Sequence, residues 1–139
     1  MEFNDLISEL DQLQLPTDQY AITASGTLAI RNLRHANDLD IIVTPELWNK
    51  LTQTYPITSS RDFQSINIGN VQILGVGSYF THHPSYDVTT QIQSADIIHG
   101  RRCVKLSIIR DFKSNRNQPK DIIDIQLIDN YLTNNPSYK

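Results

Sequence analysis

The chain has a single cysteine, Cys103, among its 139 residues. One thiol excludes an internal disulfide and any metal site built from several cysteines, and its apolar neighbour Val104 favours a place in the core. The sequence also lacks an apolar run of the roughly 18 residues that a membrane-spanning helix needs. Because the first residues, 1–5, lack the basic start of a signal peptide, a cytoplasmic location without membrane contact is expected.

Positive charge is in the minority. Twelve Lys and Arg residues against fifteen Asp and Glu give a net charge of -3, which argues against nonspecific nucleic-acid binding by the whole surface. Seven of the twelve basic residues nevertheless lie between Arg101 and Lys120, where Asp111 is the one acid. This basic run is either a solvated face or a wall that faces an anionic ligand such as a polyphosphate.

Length and periodicity predict one domain over residues 1–139, with no internal repeat and no linker. Apolar spacing and turn residues place the elements along the chain. Helices are predicted at 2–15, 27–35, 45–55, 88–95, 105–113 and 120–132. Strands are predicted at 20–24, 39–43 and 63–74, the last as a hairpin, and a further small hairpin is predicted around Gly100. The tail, 133–139, is expected to be frayed.

The stretch 21–44 predicts a strand, a tight turn, a helix and a second strand. Successive side chains of a strand point to opposite faces, so Asp38 and Asp40 share one face while Leu39 takes the other. Two carboxylates about 7 Å apart on a rigid edge can hold a divalent cation such as Mg²⁺ or Mn²⁺. The alternative is ordinary turn chemistry at the start of a strand, since short acidic residues are common in turns.

The turn that precedes this helix favours a binding site. Gly26 can adopt a positive φ and lets the backbone approach a phosphate, Thr27 offers a hydroxyl, and the helix N-terminus attracts an anion. Ser25 belongs to the same turn. The sequence therefore predicts a phosphate cradle at 25–27, next to the acid pair.

These residues carry a family resemblance. Gly26 and Thr27, then ten residues, then Asp38, Leu39 and Asp40 followed by an apolar residue, resemble the signature of the nucleotidyltransferase (DNA polymerase β-like) superfamily, with Thr27 in place of the usual Ser. The segment 118–125, QPKDIIDI, is similar to an R-P-K-D-x-x-D block of small bacterial members, including AbiEii-like toxins. The resemblance implies an α+β fold with a mixed β-sheet flanked by α-helices.

The resemblance also implies roles for individual residues. Asp38 and Asp40 would be catalytic metal ligands for Mg²⁺ or Mn²⁺, and the substrate would be an NTP whose nucleoside monophosphate moves to an unidentified hydroxyl acceptor. Lys113 and Lys120 would contact phosphate. The third catalytic acid of the family aligns with Gln72, a neutral amide that binds Mg²⁺ less strongly than a carboxylate.

Several alternatives stay open at this point. Asp62 or Asp87 is a candidate substitute for the missing acid, although neither lies in a comparable strand. Lys120 and Asp124 are four residues apart on one predicted helix face and could simply pair with each other. Adjacent His82 and His83 lack a third ligand nearby, so a loop role is favoured over a metal site.

Three classes of function follow. The chain is an active nucleotidyltransferase, an impaired relative that binds nucleotide and metal as a sensor, or an interaction module that has kept only the fold. The third class includes half of a toxin–antitoxin pair, with a protein partner or a second copy of the chain. The acid pair and Lys113 favour the first two classes, whereas Gln72 favours the last two.

Overall fold

The computed structural model describes residues 2–61, 63–82 and 86–139. Its centre is a seven-stranded mixed sheet with the order β3-β4-β5-β2-β1-β7-β6. The strand pairs β2–β5 and β1–β7 are parallel, and the other neighbours are antiparallel. The strands are β1 Tyr20–Thr23, β2 Leu39–Val43, β3 Thr58–Ser59, β4 Gln64–Ile68, β5 Val71–Leu74, β6 Asp96–Ile98 and β7 Arg101–Cys103.

Helices cover both faces of this sheet. They are α1 Phe3–Gln12, α2 Ser25–Ala29, α3 Pro45–Thr54, α4 Val88–Gln93, α5 Leu106–Arg116 and α6 Pro119–Asn134, followed by a short 3₁₀ helix, Pro136–Tyr138. Apolar residues of α1 and α3 pack on one face, and those of α4, α5 and α6 pack on the other. The predicted α+β class, a mixed sheet flanked by helices, is therefore confirmed.

The strand register aligns the polar residues of interest. Asp40 is paired with Thr23 on β1 and with Gln72 on β5, and Gln72 is paired with Asn67 on β4. Directly paired residues point to the same face of a sheet, so these four side chains form one row across four strands. Leu39 is fully buried on the opposite face.

The helix predicted at 27–35 is shorter than expected and begins two residues earlier. It ends because Asn32 adopts a left-handed conformation, with φ of 60°. The Leu33 amide then donates to the Leu28 carbonyl and the Asn32 amide to the Ala29 carbonyl, which is the hydrogen-bond pattern of a Schellman cap. Arg31 and Arg34 therefore lie beyond the end of α2 and not on its surface.

The tail also differs from the prediction. Instead of fraying, it forms the 3₁₀ helix and brings the Tyr138 ring to 6.1 Å from the Tyr131 ring, measured between centroids. The buried Arg31 guanidinium lies 5.3 and 5.9 Å from these two ring centroids. Cation–π contacts of this kind attach the C-terminus to the turn after α2.

Two further observations concern the absences noted in the sequence. Cys103 is fully buried, and burial raises the pKa of its thiol to about 11, as fits a core residue. None of the helices in the described part of the chain combines the length and the apolarity that a bilayer span requires.

Candidate active site

Asp40 is the most unusual polar group of the sheet. Its Oδ1 atom is buried and has no hydrogen-bond partner among the described residues, and the same is true of the neighbouring Thr23 Oγ1. Burial, with a smaller contribution from the charge of Asp38, raises the pKa of the Asp40 carboxyl to about 7. A buried carboxylate without partners is costly, so this side chain is held ready for a proton or a cation.

Asp38 lies just before β2 and is exposed. The intervening Leu39 is anchored from both sides, because its side chain is fully buried and its amide donates to the Asn70 carbonyl at 2.9 Å. Strand alternation then directs both carboxylates away from the buried Leu39 side chain. The two acids consequently flank the same edge of the sheet.

A cavity of about 180 Å³ lies on the Asp40 side of this edge. We call it the basic cavity, because four cationic side chains line it together with two carboxylates. Its lining residues are Ala24, Ser25, Arg34, Asp40, Phe80, Lys113, Arg116, Lys120 and Asp124. Four of the residues predicted for the site, Ser25, Asp40, Lys113 and Lys120, are thus brought together.

Gly26 and Thr27 do not line the basic cavity. A Cβ atom on Gly26 would lie 2.7 Å from Ile22 Cγ2 and 2.9 Å from Leu39 Cδ1, so the missing side chain lets α2 pack on the sheet. The positive φ expected at Gly26 is found instead at Ala24, with φ of 54°. Thr27 is fully buried and its Oγ1 donates to the Ala24 carbonyl at 2.6 Å. Both residues shape the turn that presents Ser25, and direct phosphate contact by them stays a prediction.

Asp124 is the hub of the ion pairs in the basic cavity. Its carboxylate accepts hydrogen bonds from Lys113 Nζ at 2.9 Å and from Arg34 Nη1 at 2.8 and 3.0 Å. Lys113 is only 4% exposed, and its ammonium also lies 3.8 Å from Asp121. The pairing of Lys120 with Asp124 considered from the sequence does not occur, because Asp124 uses partners from other segments.

Lys120 is exposed and has no ion pair with any residue that the structure describes. Arg116 lies next to it and donates from Nε to Asp121 at 3.0 Å, and this guanidinium lowers the pKa of Asp121 to about 2. Three of the seven basic residues at 101–120 form ion pairs elsewhere, as Arg101–Asp11, Lys105–Asp96 and Arg110–Asp129, and Arg102 donates to the backbone carbonyls of Thr17 and Ile92. The predicted basic wall therefore reduces to Lys113, Arg116 and Lys120.

Arg34 completes this wall and was not among the site residues predicted from the sequence. The early end of α2 turns it toward the last helix, 90 positions away along the chain. Its side chain remains 38% exposed and lines the basic cavity. The sequence contains no local signal for this placement, since a distant carboxylate decides it.

A second cavity, of about 190 Å³, lies on the Asp38 side of the acid pair. We call it the amide cavity, because three amide side chains line it. Its lining residues are Asp38, Asn67, Gly69, Asn70, Val71 and Gln72. Gln72 thus lies beside both acids, as the neighbour of Asp38 in this cavity and the register partner of Asp40. Gln72 was named from the sequence, whereas Asn67 and Asn70 were not singled out as site residues.

Of the two candidate substitutes for a third acid, the structure describes Asp87, which has another role. Asp87 caps α4, since its Oδ1 accepts a hydrogen bond from the Thr90 amide at 2.7 Å. Asp62 and His83 lie outside the described residues, and His82 lines a separate apolar cavity beside Trp48. Within 2–61, 63–82 and 86–139, no three His, Cys, Asp or Glu side chains are grouped closely enough to hold a metal ion.

Comparisons with known proteins support the fold. No protein-family model matches the chain, and no curated protein matches it by sequence. A crystal structure of a provisionally assigned nucleotidyltransferase from Thermotoga maritima is similar in structure, with a TM-score of 0.56 at 14% sequence identity. The similarity covers 94% of this chain and 92% of that chain. The chain therefore has a nucleotidyltransferase-like fold.

Proposed function

We propose that the chain binds a nucleoside triphosphate together with one divalent cation, Mg²⁺ or Mn²⁺, and transfers the nucleoside monophosphate to a hydroxyl group. One observation carries this proposal. The unpartnered carboxylate oxygen of Asp40 lies at a cavity that four cationic side chains also line. The fold also supports the proposal, because the similar structure from Thermotoga maritima is that of a provisionally assigned nucleotidyltransferase.

The triphosphate would be held by the cations that still have free donors. Lys120 has no ion pair among the described residues, and Arg34 and Arg116 are partly exposed with guanidinium N–H groups to spare. Ser25 adds a hydroxyl from the turn before α2. Lys113 is different, because Asp124 already compensates its charge. It reaches a phosphate only where that phosphate replaces Asp124 as its partner.

The residues at the acid pair fit one cation. Asp38 and Asp40 supply carboxylate oxygens, which are the preferred ligands of Mg²⁺ and Mn²⁺. The buried, unpartnered Oδ1 of Asp40 is the atom that such an ion would satisfy. When bound, the cation would neutralise charge on the triphosphate. A second ion fits poorly, because Gln72 contributes an amide where a third carboxylate would be needed.

The chemical step is an in-line displacement at the α-phosphorus. The acceptor oxygen forms a bond to that phosphorus, the bond to the bridging oxygen breaks, and pyrophosphate leaves with the electron pair. The proton of the acceptor hydroxyl passes to a carboxylate of the acid pair. Arg34, Arg116 and Lys120 hold the phosphates in place through this step. Because the described residues place only Asp38 and Asp40 at the acid pair, turnover should be slow, and a nucleotide-binding sensor is the second candidate.

Calorimetry with ATP, CTP, GTP and UTP, each with Mg²⁺, tests the proposal. We expect binding that needs the cation and that falls at least tenfold when Asp38→Asn and Asp40→Asn are combined. Lys120→Ala should weaken binding several-fold, because each charge-assisted contact contributes about 1.5–3 kcal/mol before solvent screening. Lys50→Ala, at an exposed position of α3, is the matched control. If none of the four nucleotides binds, the interaction module, with a protein partner or a homodimer, replaces this proposal.

A further inference from the structure

We infer that the amide cavity is the acceptor site, and that it takes a hydroxyl-rich compound that is uncharged or positively charged. This inference rests on the proposed function. The two acids open onto different cavities, since Asp40 lines the basic cavity and Asp38 lines the amide cavity. A nucleotide in the first cavity and a hydroxyl compound in the second would meet at the acid pair.

The hydrogen bonds of the hairpin determine which polar atoms the amide cavity offers. The backbone amide and Nδ2 of Asn70 donate to the two carboxylate oxygens of Glu9, at 2.9 and 3.0 Å. Glu9 stays ionised, because the hydrogen bond from the Asn70 backbone lowers the pKa of its carboxyl. Asn67 Nδ2 donates to Ser65 Oγ at 3.3 Å. Both asparagines therefore direct the side-chain Nδ2 donor toward the protein, and their side-chain Oδ1 atoms have no donor among the described residues.

The amide cavity is consequently rich in acceptors. The side-chain Oδ1 atoms of Asn67 and Asn70 and the carboxylate of Asp38 all lack donors among the described residues, and the side-chain amide of Gln72 has no partner there. A ligand that matches this set brings O–H or N–H⁺ donors. Gln72 can both donate and accept, so it suits a hydroxyl group, which does the same.

Charge excludes anionic acceptors from this cavity. Of the six described residues that line it, none is Lys, Arg or His, and the one charged lining residue is Asp38. Glu9 lies directly behind the hairpin turn, since a Cβ atom on Gly69 would come within 2.3 Å of its Oε1. A phosphorylated or carboxylated compound would face these two carboxylates, and the described lining offers no Lys, Arg or His side chain to bind its charge. The basic cavity shows the opposite sign, so the two cavities separate their ligands by charge.

Nuclear magnetic resonance of the full chain tests this inference, because the side-chain amides of Asn67, Asn70 and Gln72 give their own signals. The probes are glucosamine, glucose and glucose 6-phosphate, added with Mg²⁺. We expect glucosamine and glucose to shift these signals, and glucose 6-phosphate to bind at least fivefold more weakly than glucosamine. Asn67→Leu should weaken glucosamine binding several-fold. Asn130→Leu, at an exposed position of α6, should leave it unchanged.

The same samples separate this inference from the proposed function. ATP with Mg²⁺ should shift the backbone signal of Ser25 in the basic cavity. If ATP binds there but no probe shifts the three side-chain amides, or if glucose 6-phosphate binds as tightly as glucosamine, the inference is overturned alone. If glucosamine binds and ATP does not, the hydroxyl-binding cavity stands, whereas the proposed transfer and the acceptor role fail.

Discussion

Replacing Asp40 by Asn should stabilise the fold at high pH. The Asp40 carboxyl has a pKa of about 7 in the folded chain against 3.8 as its ordinary value, because it is buried and lies near Asp38. Between these values the folded state binds more protons than the unfolded state, so stability falls as the pH rises through this window. The full cost is present above pH 7. Asparagine has nearly the same shape and never ionises, so it removes that cost.

The two pKa values set the size of the effect. Their difference corresponds to at most about 4 kcal/mol, since each pKa unit is equivalent to about 1.4 kcal/mol. Asp40 is partly exposed, and water reduces this figure to about 2–4 kcal/mol. For a chain of this length each kcal/mol shifts the melting temperature by roughly 3 °C. We therefore expect Asp40→Asn to melt roughly 6–12 °C above the wild type at pH 8 and close to it at pH 4.

Thermal melts at pH 4 and pH 8 without divalent cations measure this difference. Asp18→Asn serves as the matched control, because Asp18 is exposed and should show no pH-dependent difference from the wild type. If Asp40→Asn melts at a lower temperature than the wild type at pH 8, the inference that burial of an unpaired Asp40 carboxylate destabilises the fold is refuted. Added Mg²⁺ should raise the melting temperature of the wild type more than that of the variant, since the ion binds the ionised carboxylate.

Two further predictions concern the neighbours of the acid pair. Lys113→Ala should lower the free energy of unfolding by about 2–4 kcal/mol, because it leaves Arg34 as the one partner of the buried Asp124 among the described residues. Urea unfolding measures this change, and an unchanged stability would contradict the buried Lys113–Asp124 pair. Gln72→Glu should raise Mg²⁺ affinity at least tenfold and increase any transfer activity, because it adds a carboxylate beside Asp40. An unchanged Mg²⁺ affinity in calorimetry would show that Gln72 lies outside the metal site.

Local chemistry in the sequence was sufficient for much of the secondary structure. The helix α3 begins as predicted, because Thr44 accepts a hydrogen bond from the Leu47 amide at 3.2 Å and Pro45 occupies the first turn. The hairpin at 64–74 turns at Gly69 and Asn70, where Gly69 has φ of 60°. Caps and turns depend on neighbours within a few residues, so the sequence specifies them directly.

The acid pair could also be recognised from the sequence. Leu39 and Ile41 are fully buried, and the period of two residues in a strand then places Asp38 and Asp40 together on the other side. The helical period of 3.6 residues was a less reliable guide to the buried side of the last helix. Ile122 is apolar yet 53% exposed, because α6 contacts the rest of the chain along a narrower face than its apolar residues indicate.

Only the tertiary structure decided which charges are free and which are paired. Asp124 recruits Arg34 from a turn 90 positions away, which leaves Lys120 unpaired among the described residues. Likewise, the amide cavity exists because β4 and β5 pair so that Asn67 lies opposite Gln72, while Glu9 of α1 holds Asn70. Such contacts depend on strand register and helix packing over long separations. The sequence by itself therefore determined the acid pair and its strand, whereas the packing of distant segments decided the charge of the cavities on either side.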